Sequence, residues 1–132
     1  MISYKCDHIH LKAVDVEKTA RWYVDTVGAR ITFEGQFKGS KVYYLDIAGF
    51  NFIVFGLLQG EEGDKAPIEP SLRVRFGTDH FGFGVDNMEE TVADLKAKGV
   101  TILEGPWSPR PGLTICYIEG PDKATIELSE RK

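Results

Sequence analysis

DHIHLKAVDVEKTARWYVDTVGARITFEG, residues 7–35, returns later in the chain as DHFGFGVDNMEETVADLKAKGVTILEG, residues 79–105. His8 falls on His80, and small length adjustments keep the two stretches in step. Further on, VYYLDIAGFNFIVF from Val42 pairs with ICYIEGPDKATIEL from Ile115 at a constant offset of 73, which lays Val54 on Glu127. Self-similarity of this kind means that one supersecondary unit is used twice, so the fold follows from reading a single copy.

Each copy opens with alternating apolar residues, Ile9, Leu11 and Ala13 in one and Phe81, Phe83 and Val85 in the other, the period of a half-buried strand. The opposite side of the strand reads His8, His10, Lys12 in the first copy and His80, Gly82, Gly84 in the second. A face of histidines and glycines is not packing core. Asp15 and Asn87 stand where helix N-caps belong, Val16, Ala20 and Tyr23 or Met88, Val92 and Leu95 mark one helical face, and Gly28 and Gly99 end the helices. Three strands follow, at about 30–34, 41–47 and 50–57, repeated at 101–104, 113–119 and 124–129. The expected fold is α+β: two βαβββ modules, about 5–58 and 73–130, curling into a cup-shaped half-barrel with the helices outside. Between them GEEGDKAPIEPS, residues 60–71, reads as an exposed connector within one domain spanning 1–132.

At 132 residues a single domain buries about two-thirds of its unfolded surface and folds without a disulfide or structural metal. The net charge of -4, with no basic run, gives no reason to expect a nucleic acid partner. No stretch approaches the roughly 20 apolar residues that span a bilayer, and MISYKCDHIH has no secretory signature, so we expect a cytoplasmic protein without a membrane partner. Cys6 and Cys116, far apart and without ligand spacing, read as reduced core thiols.

The chain has only three histidines, and all lie in the two equivalent strands. If those strands approach one another, His8 can face His80. The last strand puts Ile126 and Leu128 on the helix side and Thr125, Glu127 and Ser129 on the other, and a carboxylate on an inward face needs a partner. Two imidazoles and one carboxylate suit a divalent ion of the Fe, Mn, Co, Ni or Zn group and leave positions open for substrate. The plainer alternative is a pair of hydrogen-bonded, part-buried histidines with Glu127 on the surface.

DHIHLKAVDVEKTARWYVDTVG, DHFGFGVDNMEETVADLKAKGV and IEGPDKATIELSE resemble the repeated signatures of the vicinal-oxygen-chelate superfamily, over essentially the whole chain. Its members include glyoxalase I, methylmalonyl-CoA epimerase, fosfomycin-resistance transferases, bleomycin-resistance proteins and extradiol dioxygenases. The resemblance implies paired βαβββ modules with a metal in the cup, held here by His8, His80 and Glu127. Glyoxalase and epimerase relatives add a Glu or Gln on the last strand of the first module. That position is read here as Val54, and Gln59, Glu61 and Glu62 would replace it only after a large slip in register. A His, His, Glu set resembles instead the dioxygenases and the fosfomycin-modifying transferases.

The resemblance implies an ion that polarises substrate oxygens, with the reaction set by what surrounds it. A glyoxalase-like lyase or isomerase needs a base beside a carbonyl, and His10, on the same face as His8, is the candidate alongside Glu127. A dioxygenase would use three ligands on iron, with His10, Tyr44 or Tyr117 moving protons, although both tyrosines sit in strands that read as core. A transferase would need a potassium-binding loop, which is not found. A non-enzymatic drug-binding protein would use Trp22, Trp107 and the phenylalanines as walls. Lys41, Arg73, Arg75 and Arg110 could hold an anionic small-molecule substrate, and a homodimer is the expected assembly. The lyase or isomerase is the reading preferred from sequence.

Overall fold

The computed structural model describes residues 1–63 and 76–132, and the chain divides into two compact units, Met1–Lys65 and Ala66–Lys132. Most of the expected connector, with Arg73 and Arg75, lies outside the described residues. The first unit runs β1 (His8–Lys12), α1 (Val16–Val27), β2 (Arg30–Phe37), β3 (Ser40–Ile47) and β4 (Phe50–Phe55). The second runs β5 (Phe81–Gly84), α2 (Met88–Ala97), β6 (Ile102–Arg110), β7 (Leu113–Glu119), a 3-10 turn at Pro121–Lys123 and β8 (Thr125–Arg131). Each unit is one four-stranded mixed sheet with one long helix. The strand orders, β1-β4-β3-β2 and β5-β8-β7-β6, repeat one another, with the first pair parallel and the rest antiparallel.

The helices begin where short polar side chains can take up a free backbone donor. Asp15 accepts the Lys18 N–H and Asn87 the Glu90 N–H, each at 3.0 Å. Gly28 stops α1 in the left-handed region at φ 75, which a side chain would resist. Ala20 and Tyr23 of α1 pack over Leu45, Phe52 and Val54, all nearly inaccessible to solvent. Met88, Val92 and Leu95 of α2 are buried in the same way, as are Cys116, Ile118, Ile126 and Leu128 of the second sheet. β2 and β6 run past Gly35 and Gly105, where the sequence suggested that they stop. Both are edge strands, where Pro106 and Pro109 can be tolerated because an outward N–H has no ladder partner to lose.

The ladder corrects the alignment of the last strands. His10 pairs with Ile53 and Leu11 with Val54, whereas Gly82, the counterpart of His10, pairs with Glu127. Tyr44 likewise faces Ile53 as Tyr117 faces Glu127. The counterpart of Glu127 is therefore Ile53. Val54 lies on the helix side and is wholly buried. The offset of 73 holds through β3 and β7 and becomes 74 in β4 and β8 because the second hairpin is one residue longer. Four residues, 47–50, separate the pair Asp46 and Asn51, and five, 120–124, separate Glu119 and Thr125. The extra residue is taken up in the 3-10 turn, where Asp122 and Lys123 adopt positive φ.

The helix sides of the two units differ in filling. In the first, Lys41 bridges to Glu17 at 3.0 Å and the Tyr43 hydroxyl donates to Glu34 at 3.1 Å. The counterparts of Lys41 and Tyr43 are Thr114 and Cys116, and Thr114 lines a cavity of about 570 Å³ together with Met88, Val92, Lys96, Pro106 and Glu130. Cys116 is buried as expected. Cys6 is exposed instead, because it precedes β1 and belongs to no packed element.

Candidate functional site

Directly paired residues share a sheet face, so the rows that matter can be read across the ladder. On the second sheet, Gly82, Glu127 and Tyr117 form one row on the side away from α2. His80, two residues before Gly82, reaches into that row. Its Nε2 lies 3.2 Å from Glu127 Oε2 and its ring stands edge-on to Tyr117 with centroids 5.3 Å apart. A Cβ at Gly82 would come within 3.0 Å of the Glu127 carbonyl oxygen and 3.5 Å of its Cβ. A larger residue there would crowd Glu127. Behind the ring, His80 Nδ1 is 2.8 Å from Asp79 Oδ2.

On the first sheet, His8 lies in a row with Asn51 and Asp46, and His10 in a row with Ile53 and Tyr44. His8 Nδ1 is 2.7 Å from Asp7 Oδ2, and the His10 ring packs on Phe55 at 4.7 Å. Lys12 donates to Glu61 Oε1 at 2.7 Å and to the Gly56 carbonyl at 3.1 Å. Glu61 Oε1 also accepts the Leu58 N–H.

Electrostatics separate the histidines. Hydrogen bonding to Asp79 raises the His80 pKa, burial opposes it, and Glu127 adds to the rise. Burial lowers that of His10, with the Lys12 ammonium and His8 acting in the same direction. Burial raises the Tyr117 phenol, and the carboxylates of Glu127, Glu104 and Asp79 reinforce it.

The second unit thus brings His80 and Glu127 together, while His8 and His10 share a face of the first. Among the described residues no three His, Cys, Asp or Glu side chains form a metal-holding group within one cluster. The donor set of the second unit nonetheless fits a divalent ion. Neighbouring ligands on such an ion, with bonds of about 2.1 Å, stand roughly 3.0–3.4 Å apart, and His80 Nε2 and Glu127 Oε2 are 3.2 Å apart. Tyr117, read from sequence as core, is half-buried beside His80 because its strand alternates differently from its all-apolar appearance. Only the register of β7 on β8 exposes that contact. Trp22 sits on α1 against Tyr23, whereas Trp107 lies 44 % exposed on β6. Lys41 is tied to Glu17, and Arg110 ends β6 in an exposed position.

The family model for the Glyoxalase/Bleomycin resistance protein/Dioxygenase superfamily matches residues 5–128. A probable lactoylglutathione lyase of Synechocystis is 25% identical, over 92% of this chain and 91% of its own. A probable chloroplastic lactoylglutathione lyase of Arabidopsis thaliana is 28% identical over 94% of this chain, which spans only 35% of that relative's length. Among solved structures, the fosfomycin resistance protein FosX of Listeria monocytogenes, complexed with Mn(II) and sulfate, superposes with a TM-score of 0.70 at 21% identity, covering 100% of this chain and 95% of that one. The duplicated βαβββ units and the span of the family match lead to one conclusion: the chain belongs to the glyoxalase/bleomycin resistance protein/dioxygenase superfamily.

Proposed function

We propose that the chain is a metal-dependent lyase or isomerase of glyoxalase type, with His8, His80 and Glu127 holding a divalent ion and His10 serving as the base. The observation that carries this reading is the His80–Glu127 pair on a sheet face cleared by Gly82. When bound, the ion supplies Lewis acidity to substrate oxygens beside a carbonyl. His8 and His80 contribute imidazole nitrogens, and Glu127 offsets part of the ion's charge. His10, two residues along β1 on the same face as His8, removes the proton next to the carbonyl. Ile53, in the place where a fourth ligand would stand, offers no donor and leaves that job to His10. The relatives named as lactoylglutathione lyases support the reaction class, and the Mn(II) complex of FosX supports the kind of ion. A small anionic substrate and a homodimer belong to the same proposal.

The test is turnover of a 2-oxoaldehyde–thiol adduct by metal-loaded protein, alongside His10→Ala. The expected result is a fall of about 10²–10⁴-fold in kcat in the variant with metal content unchanged. Equal turnover in both would remove His10 from the reaction. One observation favours a second reading: a carboxylate-free Ile53 leaves three ligands, the number that suits an iron dioxygenase. Oxygen uptake with a catechol and iron, without adduct turnover, would replace the lyase by that enzyme.

A further inference from the structure

The duplication repeats a side-chain contact as well as a fold. In both units an aspartate immediately precedes the histidine, and in both its Oδ2 meets the histidine's Nδ1, at 2.7 Å for Asp7 and His8 and at 2.8 Å for Asp79 and His80. Consecutive residues of a strand point to opposite faces, so such a contact does not arise automatically within a ladder. Asp7 lies just before β1, and Asp79 and His80 lie just before β5, where the backbone is free of the pleat. Two units that differ at Ile53 and Glu127, and at His10 and Gly82, agree in this geometry.

We propose that Asp7 and Asp79 are positioning residues that orient both histidines for metal. This rests on the reading of His8, His80 and Glu127 as ligands. A neutral imidazole has one N–H and a carboxylate can only accept, so a carboxylate held at Nδ1 keeps the proton there and leaves Nε2 to an ion. Without an ion, His80 has a carboxylate at each nitrogen, Asp79 at Nδ1 and Glu127 at Nε2; an ion taken up between Nε2 and Glu127 Oε2 would leave the Asp79 contact as the one that holds the proton. The contact also fixes the plane of the ring. The two aspartates are not equal: Asp7 is 86% exposed and Asp79 39%, so water competes less for the Asp79 contact. Asp79 therefore carries the larger effect.

The experiment is a Zn(II) titration of the full chain against a chromophoric chelator, for wild type, Asp79→Ala, Asp79→Asn, Asp7→Ala and Glu127→Ala. Imidazole ¹⁵N NMR of the zinc-loaded forms reads the bonding nitrogen, and thermal unfolding in chelator checks that each variant is folded. The expected result is zinc bound through His80 Nε2 with Nδ1 protonated. Affinity falls about 10–100-fold in Asp79→Ala, less in Asp7→Ala, and is partly restored in Asp79→Asn, whose amide oxygen still accepts. Loss of zinc in Glu127→Ala with wild-type affinity in Asp79→Ala, or zinc on His80 Nδ1, overturns the positioning role alone. Equal affinity in wild type and Glu127→Ala overturns the metal reading and this inference with it.

Discussion

Gly82 carries no side chain, and its neighbour across the ladder depends on that. Its counterpart in the first unit is His10, opposite Ile53. At Gly82 a methyl would already sit 3.0 Å from the Glu127 carbonyl oxygen, and a branched side chain would force β5 and β8 apart beside the carboxylate. Gly82→Val is expected to keep its secondary structure by circular dichroism while its metal affinity drops at least about tenfold, in the range of other disturbances around a ligand. Unchanged affinity would mean that Glu127 does not depend on this clearance. His8, His10, His80 and Glu127 were all legible as residues, from the repeat and from strand alternation. The Asp79 contact was not, because adjacent residues in an extended strand do not ordinarily meet.

At the scale of elements, the hairpins decide which residue replaces which. One additional residue between β7 and β8 moves the counterpart of Glu127 from Val54 to Ile53, a change invisible to an alignment with a constant offset. Substitution separates the two positions. Val54→Glu would bury an unpaired carboxylate on the helix side and should destabilise the fold by about 3–5 kcal/mol in a denaturant titration. Ile53→Glu lies on the half-exposed face beside His10 and should cost about 1 kcal/mol or less. The reverse order of stabilities would contradict the register.

The start of α2 gives a pH test. Glu130 of β8 accepts the Met88 N–H at 2.6 Å, and that bond, opposed by burial and aided by Lys132, lowers its pKa. A folded-state pKa below the unfolded one contributes stability above the ordinary carboxylate range and loses it as pH falls through the depressed value. Glu130→Gln should therefore melt lower than wild type at neutral pH, and the gap in Tm should close on acidification. A gap independent of pH would show that the carboxylate's charge is not what holds the helix end.

Across the whole molecule, duplication made the fold readable and divergence made the site. The sequence pattern marked both helices, their caps and the polar strand faces, because each signal occurs twice. It shortened the edge strands, where glycine and proline look like stops but cost little. It also gave no sign of the cavity beside α2, whose walls come from α2, Pro106, Thr114 and Glu130, residues far apart in the chain. The two open faces have diverged. The first keeps His10 against Phe55, in a row with Ile53 and Tyr44, and His8 in a row with Asn51 and Asp46, and the second keeps His80 with Glu127.

The central claim is a metal held by one histidine from each unit and Glu127. Its most direct test is elemental analysis of protein purified anaerobically, with His8→Ala, His80→Ala and Glu127→Ala prepared in parallel. Near-stoichiometric metal in the wild type, lost in all three variants, is the expected result. Little metal in the wild type even after reconstitution, or metal retained in all three variants, would contradict it.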